Sequence, residues 1–265
     1  MIAYTGKAGD AKIFAGDVAG FDAVAGVGGD GTINEIASGL PPGGPPICHL
    51  PSGTANVLAK EIGLPRTIDG LSEIVAEGRA IPWDVGVERA TGRRVLLFVS
   101  AGYDADVVHL FHAKRTGPIH MWQYCWWGLK SVVESDAPEI GVELDGVTLT
   151  KRAAWVIVSN VKRYGGPLEF TPRAKPSDGL FEVLVLHDRG RRDTVRMFWR
   201  AVINNFTGMD LQLGGVTFHT AKRVRLWSND GRTVPVQVDG DPCGTLPVDY
   251  EVHPGLVSIL GPGRS

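Results

Sequence analysis

The chain has 265 residues, of which 43% are hydrophobic and 21% charged, a composition typical of globular domains and unlike that of disordered chains. Its formal net charge of −2 gives no basic field for nucleic acid, and no apolar run approaches the ~18 residues of a membrane span. The three cysteines are far apart and form no CxxC pair, which is typical of a reducing compartment. The chain start lacks a signal-peptide pattern, so we expect a cytoplasmic protein.

Strand-like and helix-like stretches alternate over residues 1–80, which predicts a parallel α/β sheet. The predicted elements are a buried strand at 22–29 and a helix at 32–40, then a short strand within 45–54 and helices at 55–64 and 67–78. Thr32 and Glu35 have the spacing of a capping box, which predicts that the first of these helices begins at Thr32.

Beyond residue 82 the sequence changes to β-branched and aromatic runs, which indicate antiparallel strands. These runs cover 95–108, 139–160, 180–188, 223–230 and 234–241. Helical stretches are predicted at about 107–134 and 191–205, and short strands are predicted to close the chain.

This pattern predicts two domains. The first is a Rossmann-like α/β domain at 1–83, to which residues 252–265 return. The second is a β-rich domain at 84–251, expected to be an antiparallel β-sandwich. We expect the active site in the cleft between the two domains.

The sequence GVGGDG separates the first strand from the helix that follows it. Such a turn frees backbone N–H groups to face an anion, and a helix N-terminus adds its dipole and further donors. Gly28, Gly29, Gly31 and Thr32 are therefore candidates to line a phosphate, with Asp30 contacting a Mg²⁺, a water or a hydroxyl beside it. An ordinary strand-to-helix turn is the alternative. The lysine of a Walker loop and the spacing of a dinucleotide fingerprint are both absent.

Two carboxylates, Asp239 and Asp241, flank Gly240 at the end of an apolar strand. They lie on the same side of the strand if the backbone stays extended through the glycine. Two neighbouring acids raise the pKa of one of them, which suits a general base. A polar hairpin turn is the alternative interpretation of this Asp-Gly-Asp sequence.

The order of seven motifs resembles the diacylglycerol kinase catalytic domain superfamily, which includes bacterial diacylglycerol and phosphatidylglycerol kinases, sphingosine kinases and ceramide kinases. The motifs are TGKAGDA (5–11), GGDGTINE (28–35), LPSGTAN (50–56), PWDVGVE (82–88), SAGYDADVV (100–108), AKPSDGLFEVLVL (174–186) and VQVDGD (236–241). Their order and approximate spacing agree over nearly the whole chain.

The resemblance implies that the γ-phosphoryl group of ATP is transferred to a lipid hydroxyl with the help of Mg²⁺. The residues implied to contact ATP are Thr5, Gly28, Gly29, Asp30, Gly31, Thr32, Ile33, Asn34, Glu35, Gly53 and Thr54. Asp30 would organise the phosphates and the metal. The acid at the position of Asp241 accepts the proton of the lipid hydroxyl in the family, where Glu is usual and this chain has Asp. Whether Asp241 or Asp239 is the base stays open.

The resemblance further implies a structural Mg²⁺ site formed by Asp178 and the backbone carbonyls of Lys175 and Leu180. Oxygen-only ligation suits this ion. An Asp-Gly turn at a strand start is the alternative interpretation. Asp84 matches an acid that the family places near the active centre, between the domains.

The lipid side is represented by Trp122, Tyr124, Trp126 and Trp127, which could line an acyl-chain cleft, touch a bilayer interface or simply pack on the β domain. The implied partners are ATP, a diacylglycerol-like lipid with a free hydroxyl and, transiently, a membrane surface. A homodimer is left open, and no nucleic-acid partner is expected.

Two departures from the family keep other interpretations open. The strand and glycine-bearing loop with which family members usually begin are not found, and Asp replaces Glu at position 241. A catalytically weak or inactive nucleotide- or lipid-binding relative is therefore one alternative. An NAD kinase, which shares GGDGT and a similar two-domain plan, is another, although PSGTAN and the P-x-DG-L stretch favour the lipid branch.

Overall fold

The computed structural model describes residues 1–105, 108–109, 137–165, 168–187, 195–196, 199–200, 203 and 214–262. The four aromatic residues at 122–127 lie outside these ranges, and so do most of the residues of the two helices predicted at 107–134 and 191–205.

The described helices are α1 (Asp10–Ala15), α2 (Asp30–Gly39), α3 (Val57–Glu61) and α4 (Ile68–Glu77). The described strands are β1 (Val24–Gly28), β2 (Ile47–Pro51), β3 (Ala80–Glu88), β4 (Arg94–Val95), β5 (Phe98–Gly102), β6 (Ile140–Leu144), β7 (Val147–Ser159), β8 (Arg163–Tyr164), β9 (Leu168–Glu169), β10 (Phe181–His187), β11 (Val216–Ala221), β12 (Arg223–Ser228), β13 (Pro235–Val238), β14 (Asp241–Thr245) and β15 (Val248–Leu260).

The first half forms the expected parallel α/β unit. Strands β1 and β2 run parallel with Val24 opposite Ile47, and β15 joins β2 in parallel at Ile259. The prediction that β1 is buried is wrong, because β1 is the outermost strand in the order β1-β2-β15. Val27 is consequently 70% exposed.

Helix α2 follows β1 directly, and its start differs from the predicted one. The helix begins at Asp30 rather than at Thr32, and no side chain caps its first turn. The capping box is therefore wrong. The carboxylate of Glu35 instead accepts a hydrogen bond of 2.9 Å from the N–H of Gly9, which holds the loop before α1 against α2.

Helix α3 is shorter than the predicted helix at 55–64, because Asn56 adopts a left-handed conformation (φ 45°) immediately before it. Helix α4 begins as predicted, with the Thr67 hydroxyl accepting a hydrogen bond from the N–H of Gly70. It ends at Gly78, whose φ of 61° is the left-handed conformation that glycine adopts readily.

The second half is an antiparallel sandwich. Strands β12, β6, β7, β5, β13 and β14 are consecutive neighbours, and β10 pairs with both β7 and β11. Side chains alternate along β7, so that Ile157 joins one hydrophobic cluster while Val156 and Val158 join the other. The cluster on the Ile157 side also contains Ile33 and Ile47, and one core therefore runs through both halves.

The end of the chain connects the two halves. Short strands were predicted here, but β15 is continuous over Val248–Leu260, with an irregularity between His253 and Val257. It pairs with β3 along most of its length and with β12 at its start. The domain boundary near residue 83 stays a prediction, since β3 crosses it without interruption. In the part of the chain that the structure describes, no helix is long and apolar enough to cross a membrane.

Candidate active site

The glycine-rich turn after β1 is joined to the PSGTAN segment through Asp30. The two carboxylate oxygens of Asp30 accept hydrogen bonds from the N–H groups of Val57 (2.9 Å) and Leu58 (3.0 Å). These N–H groups belong to the first turn of α3, which has no acceptors for them within the helix. Asp30 therefore caps α3, whose first residue lies 27 positions further along the chain, and so links the glycine-rich turn to the helix that follows PSGTAN. Its contact with a metal or phosphate stays a prediction.

The two loops approach each other backbone to backbone. A Cβ atom placed on Gly53 would lie 2.5 Å from the Cα of Gly29, and one on Gly28 would lie 2.4 Å from the hydroxyl oxygen of Thr32. No larger residue fits at these positions without a shift of the backbone or of Thr32. The result is a surface made of main chain at the N-terminus of α2, where helix donors and the helix dipole favour an anion.

Two residues that the sequence analysis did not single out shape this surface. Asn56 accepts a hydrogen bond from the N–H of Gly53 (3.0 Å) and donates one to its carbonyl (2.7 Å), which closes the PSGTAN loop on itself. His49 is fully buried, and its Nε2 lies 3.1 Å from the carbonyl oxygen of Gly28. Burial lowers the pKa of His49, so a neutral imidazole can donate to Gly28 from Nε2. A polar residue inside an apolar strand was the signal for His49.

The other predicted ATP contacts differ in what they can offer. Thr54 is exposed and lies three positions before Val57, the first residue of α3, so it is not the helix start. Ile33 is completely buried in the core and has only its backbone available to a ligand. Asn34 accepts a hydrogen bond of 3.3 Å from Ser38.

Thr5 is exposed, and the residues after it are tied to the helices. The N–H groups of Gly6 and Lys7 donate to Asp10 at 2.8 and 3.0 Å. Together with the Glu35–Gly9 contact, these bonds anchor the segment next to Thr5 on α1 and α2. The structure therefore connects Thr5 to the helix that begins at Asp30, although no described hydrogen bond joins Thr5 to the glycine turn.

Asp239 lies in a two-residue turn between β13 and β14, and the extended backbone considered above is not found. Positive φ angles of 52° for Asp239 and 92° for Gly240 are typical of a type I′ hairpin turn. The Asp239 carboxylate accepts three hydrogen bonds of 2.9 Å, from the N–H groups of Leu96, Leu97 and Phe98. Burial raises its pKa to about 6, against the effect of these three bonds, and the charge of Asp30 adds to the rise.

Asp241 lies next to the start of α2, where the sequence analysis predicts a cleft between the two halves. A methyl group on Gly31 would lie 3.6 Å from Oδ2 of Asp241. Asp241 is exposed, whereas Asp239 is buried behind it. The turn thus presents one carboxylate to the cleft and uses the other to attach itself to the beginning of β5.

Asp84 is buried beneath the P-x-DG-L segment. Its carboxylate accepts hydrogen bonds from the N–H groups of Gly179 (2.6 Å) and Gly255 (2.8 Å), while its own N–H donates to Pro176 (2.7 Å). It therefore holds the loop that contains Asp178 against β15. With both carboxylate oxygens engaged, Asp84 acts as a connector in this structure.

The loop at Asp178 contains oxygen atoms that could act as ligands of a hard cation. The carboxylate of Asp178 is exposed, with one oxygen accepting from the N–H of Leu180 at 3.1 Å. Nearby Glu182 is buried, and within the described ranges its Oε1 has no hydrogen-bond partner. Burial raises the pKa of Glu182, and Asp178 contributes to the rise. This local excess of negative oxygen fits Mg²⁺. Among the described residues, no three His, Cys, Asp or Glu side chains form a metal cluster, so a site here depends on backbone carbonyls.

Comparison with known families follows the same division of the chain. Residues 1–87 match the family model described as the diacylglycerol kinase catalytic domain. Residues 97–261 match the one described as the YegS C-terminal NAD kinase beta sandwich-like domain.

The alignments with similar proteins extend over most of the chain. The diacylglycerol kinase of Bacillus subtilis (strain 168) is 26% identical over 248 residues, which are 92% of this chain and 79% of that protein. The diacylglycerol kinase of Staphylococcus aureus (strain JH9) is 23% identical over 250 residues, 93% of this chain and 77% of that protein. A crystal structure of a diacylglycerol kinase from Bacillus anthracis str. Sterne gives a TM-score of 0.73 at 19% identity, over 98% of this chain and 84% of that chain. At this identity the structural likeness establishes the fold alone.

Proposed function

Because this chain belongs to the diacylglycerol kinase catalytic domain superfamily, we propose that it is an ATP-dependent lipid kinase acting on the hydroxyl of a diacylglycerol-like lipid. The observation that carries the proposal is the position of Asp241, whose carboxylate faces Gly31 at the start of α2. A phosphate group bound at the start of α2 would therefore lie beside the proposed proton acceptor.

The main-chain surface at Gly28, Gly29 and Gly53 would receive the phosphates of ATP. Backbone donors at a helix N-terminus stabilise phosphate oxygens without a lysine, and the absence of side chains lets the phosphates come close. Asp30 fixes the relative position of α2 and α3 on either side of this surface. Bound Mg²⁺ would neutralise the phosphate charge, as in other phosphoryl transfers.

The proton of the lipid hydroxyl would pass to Asp241. As the lipid oxygen forms a bond to the γ-phosphorus of ATP, the bond from that phosphorus to the oxygen bridging to the β-phosphate breaks, and ADP leaves. Asp239 is the less suitable base, because both of its oxygens are buried and accept backbone N–H groups. We therefore assign the role of general base to Asp241.

A structural Mg²⁺ would be held by Asp178 with the carbonyls of Lys175 and Leu180. Such an ion would neutralise the negative charge of Asp178 and Glu182. By fixing the loop at Asp178, it would also stabilise the hydrogen bond from the N–H of Gly179 to Asp84. We place the enzyme in the cytoplasm, with transient contact to the membrane that contains its lipid substrate.

The proposal is tested by incubating the purified protein with labelled ATP, Mg²⁺ and vesicles that each contain one candidate lipid. The panel comprises diacylglycerol, phosphatidylglycerol, sphingosine and ceramide. We expect a labelled phospholipid from at least one of them, and from diacylglycerol first. Absence of label from every lipid would contradict the proposal.

NAD kinase is the second candidate function, because the family model matched by residues 97–261 carries an NAD kinase-like description. NAD is therefore included in the same assay as a soluble acceptor. If label appears in NADP and in no lipid, the chain is an NAD kinase and the proposed lipid kinase function is wrong. If neither acceptor is labelled, calorimetric titration with ATP–Mg²⁺ and with lipid vesicles identifies a non-catalytic binding protein.

A further inference from the structure

A chain of polar side chains lies behind the turn that carries Asp239 and Asp241. It starts at Asp104, whose carboxylate accepts hydrogen bonds from the Ser100 hydroxyl, the Tyr164 hydroxyl and, at 2.6 Å, the Trp155 indole N–H. Burial raises the pKa of Asp104, although these hydrogen bonds oppose the rise. Because all three donors point at its carboxylate, Asp104 is the acceptor at one end of the chain.

Gln237 is the next member of this chain. It is completely buried on β13, and its Nε2 donates to Ser100 at 2.7 Å and to Tyr164 at 3.1 Å, with Asp104 at 3.4 Å. Its Oε1 points the other way and accepts the N–H of Gly240 at 2.9 Å. Gly240 is the second residue of the turn and directly precedes Asp241.

The direction of the hydrogen bonds is set by Asp104. Since Ser100 and Tyr164 use their protons on Asp104, they present only lone pairs to Gln237. The amide group of Gln237 must then point its nitrogen towards them and its oxygen towards the turn. An acceptor in that place satisfies the N–H of the half-buried Gly240, and loss of a partner by such a group costs free energy.

We infer that Asp104, acting through Gln237, positions the turn that presents Asp241 to the cleft. This inference rests on the proposed function for its catalytic consequence and on the geometry alone for the positioning. Asp104 and Gln237 touch no reacting atom and are positioning residues. The turn is thereby held at two points, by Asp239 on Leu96, Leu97 and Phe98 and by Gln237 on Gly240.

The first readout is hydrogen exchange of single backbone amides in the ¹⁵N-labelled full chain. Replacing Gln237 by Met removes the acceptor at similar length. We expect the Gly240 amide to exchange at least about tenfold faster, consistent with the loss of one hydrogen bond. The Asp239 amide is the internal control, because it donates to the carbonyl of Phe98 at 2.9 Å and does not depend on Gln237. An unchanged exchange rate at Gly240 would overturn the inference.

The second readout is the steady-state kinetics of variants in which the carboxylate of Asp104 and the amide of Gln237 are exchanged. Asp104→Asn and Gln237→Glu are each expected to lower kcat about tenfold or more, with KM for ATP within about twofold, since the described hydrogen bonds of both residues lead to the β13–β14 turn and not to the glycine turn. The double variant restores one carboxylate and one amide to the chain, so we expect it to recover most of the lost kcat. Circular dichroism and urea unfolding show whether each variant is folded.

The two readouts separate this inference from the proposed function. Kinase activity in the wild type with no change in kcat in any variant would refute the catalytic role of the network and leave the lipid kinase standing. Failure of the wild type to phosphorylate any lipid would refute the proposed function, and amide exchange at Gly240 would then decide the positioning by itself.

Discussion

At the scale of single residues, Asp239 and Asp241 show how neighbouring carboxylates acquire different roles. Asp239 is buried on three backbone N–H groups, whereas Asp241 is exposed to the cleft beside Gly31. The difference arises from the two-residue turn. Asp239 is the first residue of the turn and its side chain is buried, whereas Asp241 comes after the turn, at the start of β14. A carboxylate that accepts three backbone hydrogen bonds is a structural anchor, and for this reason the proposed function assigns the base to the exposed Asp241.

The raised pKa of Asp239 predicts a pH dependence of stability. A folded-state pKa of about 6, above the ordinary value of 3.8, means that the folded protein holds this proton more tightly than the unfolded chain. Its contribution to the free energy of unfolding is complete below 3.8 and is lost as the pH rises through 6. Between pH 5 and 7.5 we expect a loss of about 1.4 kcal/mol.

This dependence is measured by urea unfolding of the wild type and of Asp239→Asn at both pH values. The Asn variant cannot titrate at this position, so the stability difference between the two proteins should change by the stated amount. A difference that is independent of pH would contradict the raised pKa.

The sequence predicted some of these residues and missed others for identifiable reasons. Asp30 and the glycines stand in a local pattern of strand, turn and helix, which a sequence displays directly. Gln237 and Asp104 are 133 residues apart and meet only because β5 and β13 pair. A polar residue between two buried valines of β13 was the available signal for Gln237, but it did not identify its partners.

At the scale of elements, α3 depends on a contact from outside itself. A helix of five residues is too short to be stable alone, and its first N–H groups need acceptors. Asp30 supplies both acceptors from the first turn of α2. Helix α2 is itself held at its other end by Arg94, which donates to the carbonyls of Ala37 (2.5 Å) and Leu40 (3.0 Å). The helices beside the cleft are thus fixed by side chains that cross between elements.

Replacing Asp30 by Ala is expected to reduce both stability and activity. Loss of the cap should lower the free energy of unfolding by about 1–2 kcal/mol, and displacement of α3 from α2 should abolish phosphoryl transfer. Thr67→Ala is the matched control, because it removes a cap from α4 and should lower stability without loss of activity. Urea unfolding and the lipid assay measure the two effects. Wild-type activity in Asp30→Ala would contradict the role of this turn.

At the scale of the whole molecule, alternation of elements predicted the α/β half and β-branched runs predicted the antiparallel half, because both signals are local. The length of β15 could not be predicted in this way. Pro254 and Gly255 interrupt its sequence, yet pairing with β3 on both sides of them keeps the strand continuous. The outermost position of β1 was also missed, since strand order depends on long-range pairing.

The packing of the two halves brings candidate site residues from both of them together. One hydrophobic core contains residues of α2 and β2 as well as residues of β5 and β7, so the halves pack as a unit. As a result, the turn between β13 and β14 lies against the start of α2, and Gly31 and Asp241 are neighbours although they are more than 200 positions apart in sequence.

The central claim, that Asp241 accepts the proton during phosphoryl transfer in this cleft, is tested most directly by steady-state kinetics of Asp241→Asn and Asp241→Glu against the wild type. We predict that the Asn variant loses about 10²–10⁴-fold in kcat, with KM for ATP changed less than about threefold, and that the Glu variant stays active. An Asn variant with wild-type kcat, or a defect confined to KM for ATP, would contradict the account.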